Sequence, residues 1–284
     1  MADSTLAQTL SRLQAQGLDR LDAQLLLLHV VNPAAPNRAW LLAHDTDVIG
    51  AEPLQRLNQL ALRRLKGEPL AYLTGHKEFY GLDLHVDGRV LVPRPDTETL
   101  VDWALSLIPI TPGENWRTGI LDLGTGSGAI ALALKATRPH LPVNALDFSE
   151  DALSVARANA QRLQLDVRFS QGSWLDGVQT KFALIVSNPP YIAAQDAHLA
   201  DLSFEPLQAL ASGADGLSDL RQIIQQSPAS LQPGGWLLLE HGYDQAPVVR
   251  ALLEDAGFCQ VQSRRDLSGI ERCSGGCTPG PAPQ

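Results

Sequence analysis

Residues 120–137 read ILDLGTGSGAIALALKAT, and this stretch decides the fold. Four residues of strand character, Ile120 to Leu123, run into the turn Gly124, Thr125, Gly126, Ser127 and Gly128; Ala129 then opens a helical pattern reaching Thr137. Glycines here let the backbone turn tightly and let a ligand approach the main chain without a side-chain clash. The next strand pattern, Val143 to Asp147, ends on a carboxylate 23 residues past Gly124, placed to accept hydrogen bonds from two ribose hydroxyls. Strand, glycine turn, helix and strand-end acid together indicate an adenosine-containing ligand without naming it.

Outward from this stretch, strand and helix patterns alternate after Pro95, the signature of an α/β doubly wound sheet. Further strands are expected at Val167 to Gln171, Phe182 to Ser187, Trp236 to Glu240 and Cys259 to Ser263. Helices are expected at Glu150 to Leu163, Leu217 to Leu231 and Gln245 to Ala256, and Asp96 is read as the cap of a helix carrying Leu100, Val101, Ala104, Leu105 and Ile108. Upstream, Leu6, Leu10, Leu13, then Leu21, Leu25, Leu28, then Leu54, Leu57, Ala61, Leu65 recur at helical spacing, with Gly17 and Asp19 as stop and start signals. This predicts a small helical bundle over residues 1–75. Arg63, Arg64 and Lys66 read as a solvated helix end. A β-hairpin around Asp87 and Gly88 is expected to link it, over 76–95, to the sheet domain at 96–272. Residues 192–216 lack strong periodicity and read as a substrate-facing loop. The ending SGGCTPGPAPQ, rich in Gly and Pro, makes 273–284 a disordered tail by composition.

Composition narrows the function classes. The chain has 284 residues, 44% of them hydrophobic, enough for a buried core. No run is long and apolar enough to span a bilayer, and the start MADSTLAQTL carries no secretory pattern, so a cytoplasmic protein without a membrane partner is expected. Its three cysteines, Cys259, Cys273 and Cys277, fit neither a disulfide framework nor a paired zinc pattern; Cys273 and Cys277 read as surface thiols and no metal is expected. A net charge of -9 disfavours nucleic acid as a partner.

Ser187, Asn188, Pro189, Pro190 and Tyr191 follow the fourth strand, at the same sheet edge as the glycine turn. An amide nitrogen is a poor nucleophile because its lone pair is delocalised into the carbonyl. Two acceptors aimed at its two N–H groups reduce that delocalisation: Asn188 offers its side-chain oxygen and Pro189 its main-chain carbonyl. The consecutive prolines hold the backbone extended, and Tyr191 packs against a flat amide or aromatic amine. No general base is needed before methyl transfer, since the product is acidic and sheds its proton afterwards. After the third strand, Ser173 and Trp174 fall at the ligand-binding edge; Trp174 can flank an adenine or simply close the core, and Ser173 can bond the adenine amino group.

Both motifs and the helical N-terminal part resemble the methyltransferases that modify the glutamine of the GGQ loop in class-1 peptide chain release factors. The resemblance also covers Gly67 to Leu70, Phe79, Tyr80, the run PRPDTE at Pro93 to Glu98, and Phe204 to Leu207. It implies a Rossmann-like class I methyltransferase domain using S-adenosyl-L-methionine, with Gly124, Thr125, Gly126, Ser127 and Gly128 around the methionine and ribose, Asp147 on the ribose, and Ser173, Trp174 and Asn188 completing the cofactor site. It further implies that Asn188, Pro189, Pro190 and Tyr191 hold the glutamine and that the N-terminal helices contact the release factor. Two departures stand out: Ser173 occupies a place where aspartate is frequent, and the ending ERCSGGCTPGPAPQ lacks the usual apolar finish.

Three other readings compete. A nucleic-acid amino-methyltransferase would use NPPY on a flipped base, against the acidic balance. A dinucleotide-dependent oxidoreductase fits GTGSGA and Asp147 but leaves NPPY without a purpose. A binding module without turnover would not need every chemical position filled.

Overall fold

The computed structural model describes residues 4–31, 37–109, 116 and 118–280, and its contacts divide the chain into two units, Met1–His76 and Lys77–Gln284.

The first unit is helical: α1 (Leu6–Ala15), α2 (Arg20–Val31), α3 (Arg38–Ala43), α4 (Ala51–Leu65) and α5 (Leu70–Thr74). Thr5 starts α1 with a reciprocal cap, its hydroxyl accepting the Gln8 amide at 3.2 Å while Gln8 Oε1 accepts the Thr5 amide at 3.0 Å. Helix α2 buries Leu26, Leu27 and Leu28 completely and packs against the other four helices. Asp19 accepts the Leu21 amide at 2.7 Å, the expected start signal. The basic end of α4 is more than solvated: Arg64 Nε lies 2.6 Å from Asp22 Oδ2, tying α4 to α2, and Arg63 pairs with Glu68 at 2.5 Å.

In the second unit, β1 (His76–Phe79) and β2 (Leu82–His85) form a two-stranded sheet. The turn between them is Tyr80–Gly81, not the Asp87–Gly88 pair expected from sequence. Both turn residues are left-handed, φ 50° and 76°, the twist a tight hairpin requires. Tyr80 is held there because Glu98 accepts its amide at 3.1 Å and Asp102 its hydroxyl at 2.7 Å. Asp87 instead accepts the Arg89 amide at 3.0 Å and bends the following loop.

Next come α6 (Glu98–Leu107), β3 (Ile120–Leu123), α7 (Ala129–Thr137), β4 (Val143–Asp147), α8 (Glu150–Leu163), β5 (Arg168–Gln171), β6 (Phe182–Ser187), α9 (Ser218–Ser230), β7 (Leu231–Glu240), α10 (Ala246–Asp255), β8 (Cys259–Arg265) and β9 (Glu271–Cys277). The sheet order is β5-β4-β3-β6-β7-β9-β8, parallel from β5 to β7, with β9 antiparallel to both neighbours. Strands β3 and β6 are buried at every position, which accounts for their continuous apolar sequences. No helix of the described residues is long and apolar enough to cross a membrane.

Three expectations are corrected here. Asp96 caps nothing: Pro95–Thr97 form a 3-10 turn, α6 begins at Glu98, and Asp96 lies 3.4 Å from Arg272. Of the expected tail 273–284, residues 273–277 are not disordered but belong to strand β9, inserted between β7 and β8. Its glycines are packing devices; a Cβ on Gly275 would stand 2.4 Å from the Leu237 carbonyl oxygen and 3.1 Å from the Trp103 ring. The last four residues of the expected tail, 281–284, lie outside the described residues. Finally, Cys273 and Cys277 are buried in β9, and Cys259 is the exposed thiol. No group of three or more His, Cys, Asp or Glu side chains able to hold a metal occurs among the described residues.

Candidate functional site

Strand order reverses at β3, which has β4 on one side and β6 on the other, and open α/β sheets bind ligands at such a switch point. A cavity of about 320 Å³ opens there, lined by Gly124, Gly126, Asp147, Trp174, Asn188 and Pro190 among others.

The glycine turn is spliced to β4 by the Gly124 and Thr125 amides, which donate to the Leu146 carbonyl at 2.8 and 3.0 Å. Gly124, Gly126 and Gly128 have φ of 68°, 55° and 87°, so the turn requires glycine at each. Thr125, Ser127 and Gly128 do not line the cavity. Thr125 is buried and donates to Asp122 Oδ2 at 2.6 Å, and the Ser127 carbonyl accepts from Asn159 Nδ2 at 3.0 Å. Gly128 caps α7, where a Cβ would press 3.0 Å against Leu132. Asp122 is fully buried, which pushes its carboxyl up to about 7 against the opposing bonds from Thr125 and the Ala131 amide.

Asp147 projects from the end of β4. Its Oδ2 accepts the Gly126 amide at 2.8 Å and its Oδ1 the Ser149 amide at 2.9 Å. Burial raises its pKa, and these amides oppose the rise; they leave carboxylate lone pairs to spare for a diol. Trp174 has a left-handed backbone, φ 46°, and donates from Nε1 to Asp219 Oδ1 at 3.0 Å. Its ring lies over the turn, 3.3 Å from where a Gly124 Cβ would stand, and Ser173 lines the cavity beside it.

At the end of β6, Asn188 donates from Nδ2 to Thr97 Oγ1 at 3.2 Å. Pro190 lines the cavity; Pro189 and Tyr191 do not. The Tyr191 hydroxyl points to Glu240 Oε1 at 3.5 Å, and burial followed by that carboxylate pushes its pKa up. Glu240 is itself buried, its carboxyl raised to about 7 mainly by desolvation, and its Oε2 has no hydrogen-bond partner among the described residues.

Sequence reading missed several site residues. Arg89, Val90 and Leu91 after the hairpin, the exposed Phe148, and Asp219 and Gln222 in α9 all line the cavity, and none belongs to a motif. Pro206, Gln208 and Ala209 bring the loop 192–216 to it. Asn159, fully buried, joins hairpin to glycine turn: its Oδ1 accepts the His85 amide at 2.8 Å, and its Nδ2 donates to the His85 and Ser127 carbonyls at 3.0 Å each. Within the run PRPDTE only Asp96 had a role read from the residues themselves, yet the run supplies both Thr97 and Arg94, the latter 2.5 Å from buried Glu205.

Comparison with known proteins adds to this geometry. Residues 105–265 match the Methyltransferase small domain family and residues 4–75 the PrmC N-terminal domain family. The release factor glutamine methyltransferase of Bordetella pertussis is 50% identical, with 92% of this chain and 95% of that one covered. The protein of the same name from Escherichia coli K12 is 44% identical over 94% and 95% of the two chains. Among solved structures, the T. thermophilus 16S rRNA N2 G1207 methyltransferase in complex with AdoMet and guanosine superposes with a TM-score of 0.52 at 18% identity, covering 72% of this chain and 49% of that one. At that identity the likeness concerns the fold alone.

Proposed function

The chain belongs to the family of release factor glutamine methyltransferases, and from that premise we propose that it methylates the side-chain amide of the GGQ glutamine in class-1 peptide chain release factors. The methyl donor is S-adenosylmethionine, which when bound supplies an activated methyl group and a neutral thioether as leaving group.

The cavity fits that donor. A Cβ on Gly126 would meet nothing within 4 Å, so the turn is open on the ligand side, and the Asp147 carboxylate lines the same space. Gly124, Thr125, Gly126, Ser127 and Gly128 form the cradle, Asp147 takes the ribose hydroxyls, and Ser173 and Trp174 bound the adenine. Thr125, Ser127 and Gly128 act from behind, by shaping the turn.

The observation that carries the substrate reading is the presence of Asn188 in the lining of that cavity, with its Nδ2 committed to Thr97 and no hydrogen bond to its Oδ1 from the described residues. Asn188 Oδ1 and the Pro189 carbonyl accept the two amide N–H groups of the glutamine, drawing its nitrogen lone pair out of conjugation. Pro190 and Tyr191 hold the amide plane. Once the new N–C bond has formed, the nitrogen sheds its proton to solvent, so the protein supplies orientation and acceptors rather than a base. The N-terminal helices recognise the body of the release factor, and the reaction takes place in the cytoplasm without nucleic acid, in keeping with a net charge of -9.

The test is transfer of radiolabelled methyl from S-adenosylmethionine to an intact release factor, to the same factor with its GGQ glutamine replaced by alanine, to a GGQ peptide and to DNA. Label on the intact factor alone is expected. Label on DNA, or on the alanine form, would reject the substrate.

A further inference from the structure

We propose that Asp219 accepts a hydrogen bond from the 6-amino group of the cofactor's adenine and so makes the donor site selective for adenosine. The inference rests on the placement of the adenine against Ser173 and Trp174 given above.

The outer edge of adenine carries an amino group, which donates, beside ring nitrogens, which accept. Hypoxanthine keeps the ring shape but has a carbonyl oxygen in place of the amino group, so it accepts there. Only a side chain of fixed polarity tells the two bases apart. Ser173, next to Trp174 in the chain, and Gln222, one turn of α9 beyond Asp219, both line the cavity, but a hydroxyl and a carboxamide each donate and accept. Asp219 lines the same cavity, and its carboxylate only accepts.

Several bonds fix that carboxylate in place. Trp174 Nε1 donates to Asp219 Oδ1 at 3.0 Å, which holds the carboxylate at the edge of the indole, where the edge of a base stacked on that ring falls. Ser212 Oγ accepts the Asp219 amide at 2.8 Å. Further along α9, Gln226 accepts the Leu175 amide at 3.2 Å and donates to Asp176 Oδ1 at 2.7 Å, so the helix grips the turn after β5 at three successive residues. The left-handed backbone of Trp174, φ 46°, costs free energy, and this grip holds it there.

Asp219 Oδ2 has no hydrogen-bond partner among the described residues. One oxygen is thus committed to the indole, and the other is left for a donor arriving in the cavity. The bond from Trp174 also fixes what a substitution does. In Asp219→Asn the indole N–H still needs an acceptor, so Oδ1 stays toward it and Nδ2 takes the place of Oδ2. The polarity offered to the base is inverted while the shape of the side chain is kept.

The experiment measures, by calorimetry, the binding of S-adenosylhomocysteine and of its 6-oxo analogue S-inosylhomocysteine to the wild type, Asp219→Asn, Trp174→Ala and the double variant Trp174→Phe with Asp219→Asn. Thermal melting of each unliganded protein is followed alongside. The wild type should bind the inosyl compound about 100-fold more weakly than the adenosyl one. Asp219→Asn should lose about tenfold in affinity for S-adenosylhomocysteine and bind the inosyl compound at least as tightly, with a melting temperature near that of the wild type. The double variant has no indole N–H to orient the carboxamide, which can then present either end, so its two affinities should be nearly equal. Equal affinities in the wild type, the wild-type ratio kept in Asp219→Asn, or the Asp219→Asn ratio kept in the double variant would each overturn the proposal. Unchanged affinity for S-adenosylhomocysteine in Trp174→Ala would instead overturn the placement of the adenine on which it rests.

Discussion

The guanidinium of Arg94 lies 2.5 Å from the carboxylate of Glu205, whose side chain is only 3% exposed and whose other oxygen accepts the Val92 amide at 3.1 Å. This pair ties the loop after β6 to the segment that precedes α6.

Its two halves are unequal, which gives a first prediction. Arg94→Ala leaves a buried carboxylate with one backbone partner and should cost about 3 kcal/mol, whereas Glu205→Gln keeps an acceptor for Val92 and leaves a guanidinium that water can reach, costing about 1 kcal/mol. Urea denaturation of the two variants measures the difference, and equal losses would contradict the asymmetry.

Asp147→Ala removes the carboxylate proposed to accept the ribose hydroxyls, which is also the partner of the Gly126 amide. Calorimetry should find S-adenosylhomocysteine bound more weakly by about 1–3 kcal/mol, at one site per chain. Unchanged affinity would remove Asp147 from the cofactor site.

Asn188→Ala should slow methyl transfer about 100-fold, equivalent to about 3 kcal/mol. Asn188→Asp keeps an oxygen at that place but cannot donate to Thr97, and it adds negative charge to the group of Thr97, Asp96 and Glu240. It should therefore fall well short of the wild type despite offering an acceptor. Single-turnover rates at saturating cofactor settle this, and a fully active aspartate variant would mean that the Thr97 bond does not matter.

Asp122 supplies the pH prediction. Its carboxyl is raised from 3.8 to about 7 in the folded protein, so the native state binds the extra proton. The stabilisation is complete below the unfolded value and is lost as pH rises through about 7. Asp122→Asn should thus lose ground to the wild type at pH about 5 and regain it by pH about 8. Denaturation curves at the two pH values read this directly; a stability difference independent of pH would mean that Asp122 does not titrate in this range.

Alkylation under native conditions should modify Cys259 alone, because it is exposed while burial raises the Cys273 and Cys277 thiols. Mass spectrometry counts the adducts, and rapid labelling of Cys273 would contradict its place in β9.

What was legible in the sequence followed short-range rules. Strands β3 and β6 read as strands because both faces are buried, and Gly124 to Gly128 read as a ligand turn because of their place between strand and helix. The residues that escaped notice act across long separations. Asn159 serves His85 and Ser127, Glu240 faces Tyr191, and neither sits in a pattern whose spacing encodes the partner. The ending was misread for a related reason. Glycine and proline in 274–284 suggested disorder by composition, but the close approach of Gly275 to Leu237 and Trp103 is a demand of packing that only three dimensions display.

The same strand bears on how the protein is made. β8 pairs only with β9 among the described residues, and β9 alone joins it to β7. A nascent chain emerging from the ribosome therefore offers β7 and β8 first, with unfilled backbone bonds on each, and neither can be bridged until residues 271–277 clear the exit tunnel. Ribosome stalling a few residues short of β9 would leave an open flank of sheet, which is the kind of surface on which chaperones and proteases act.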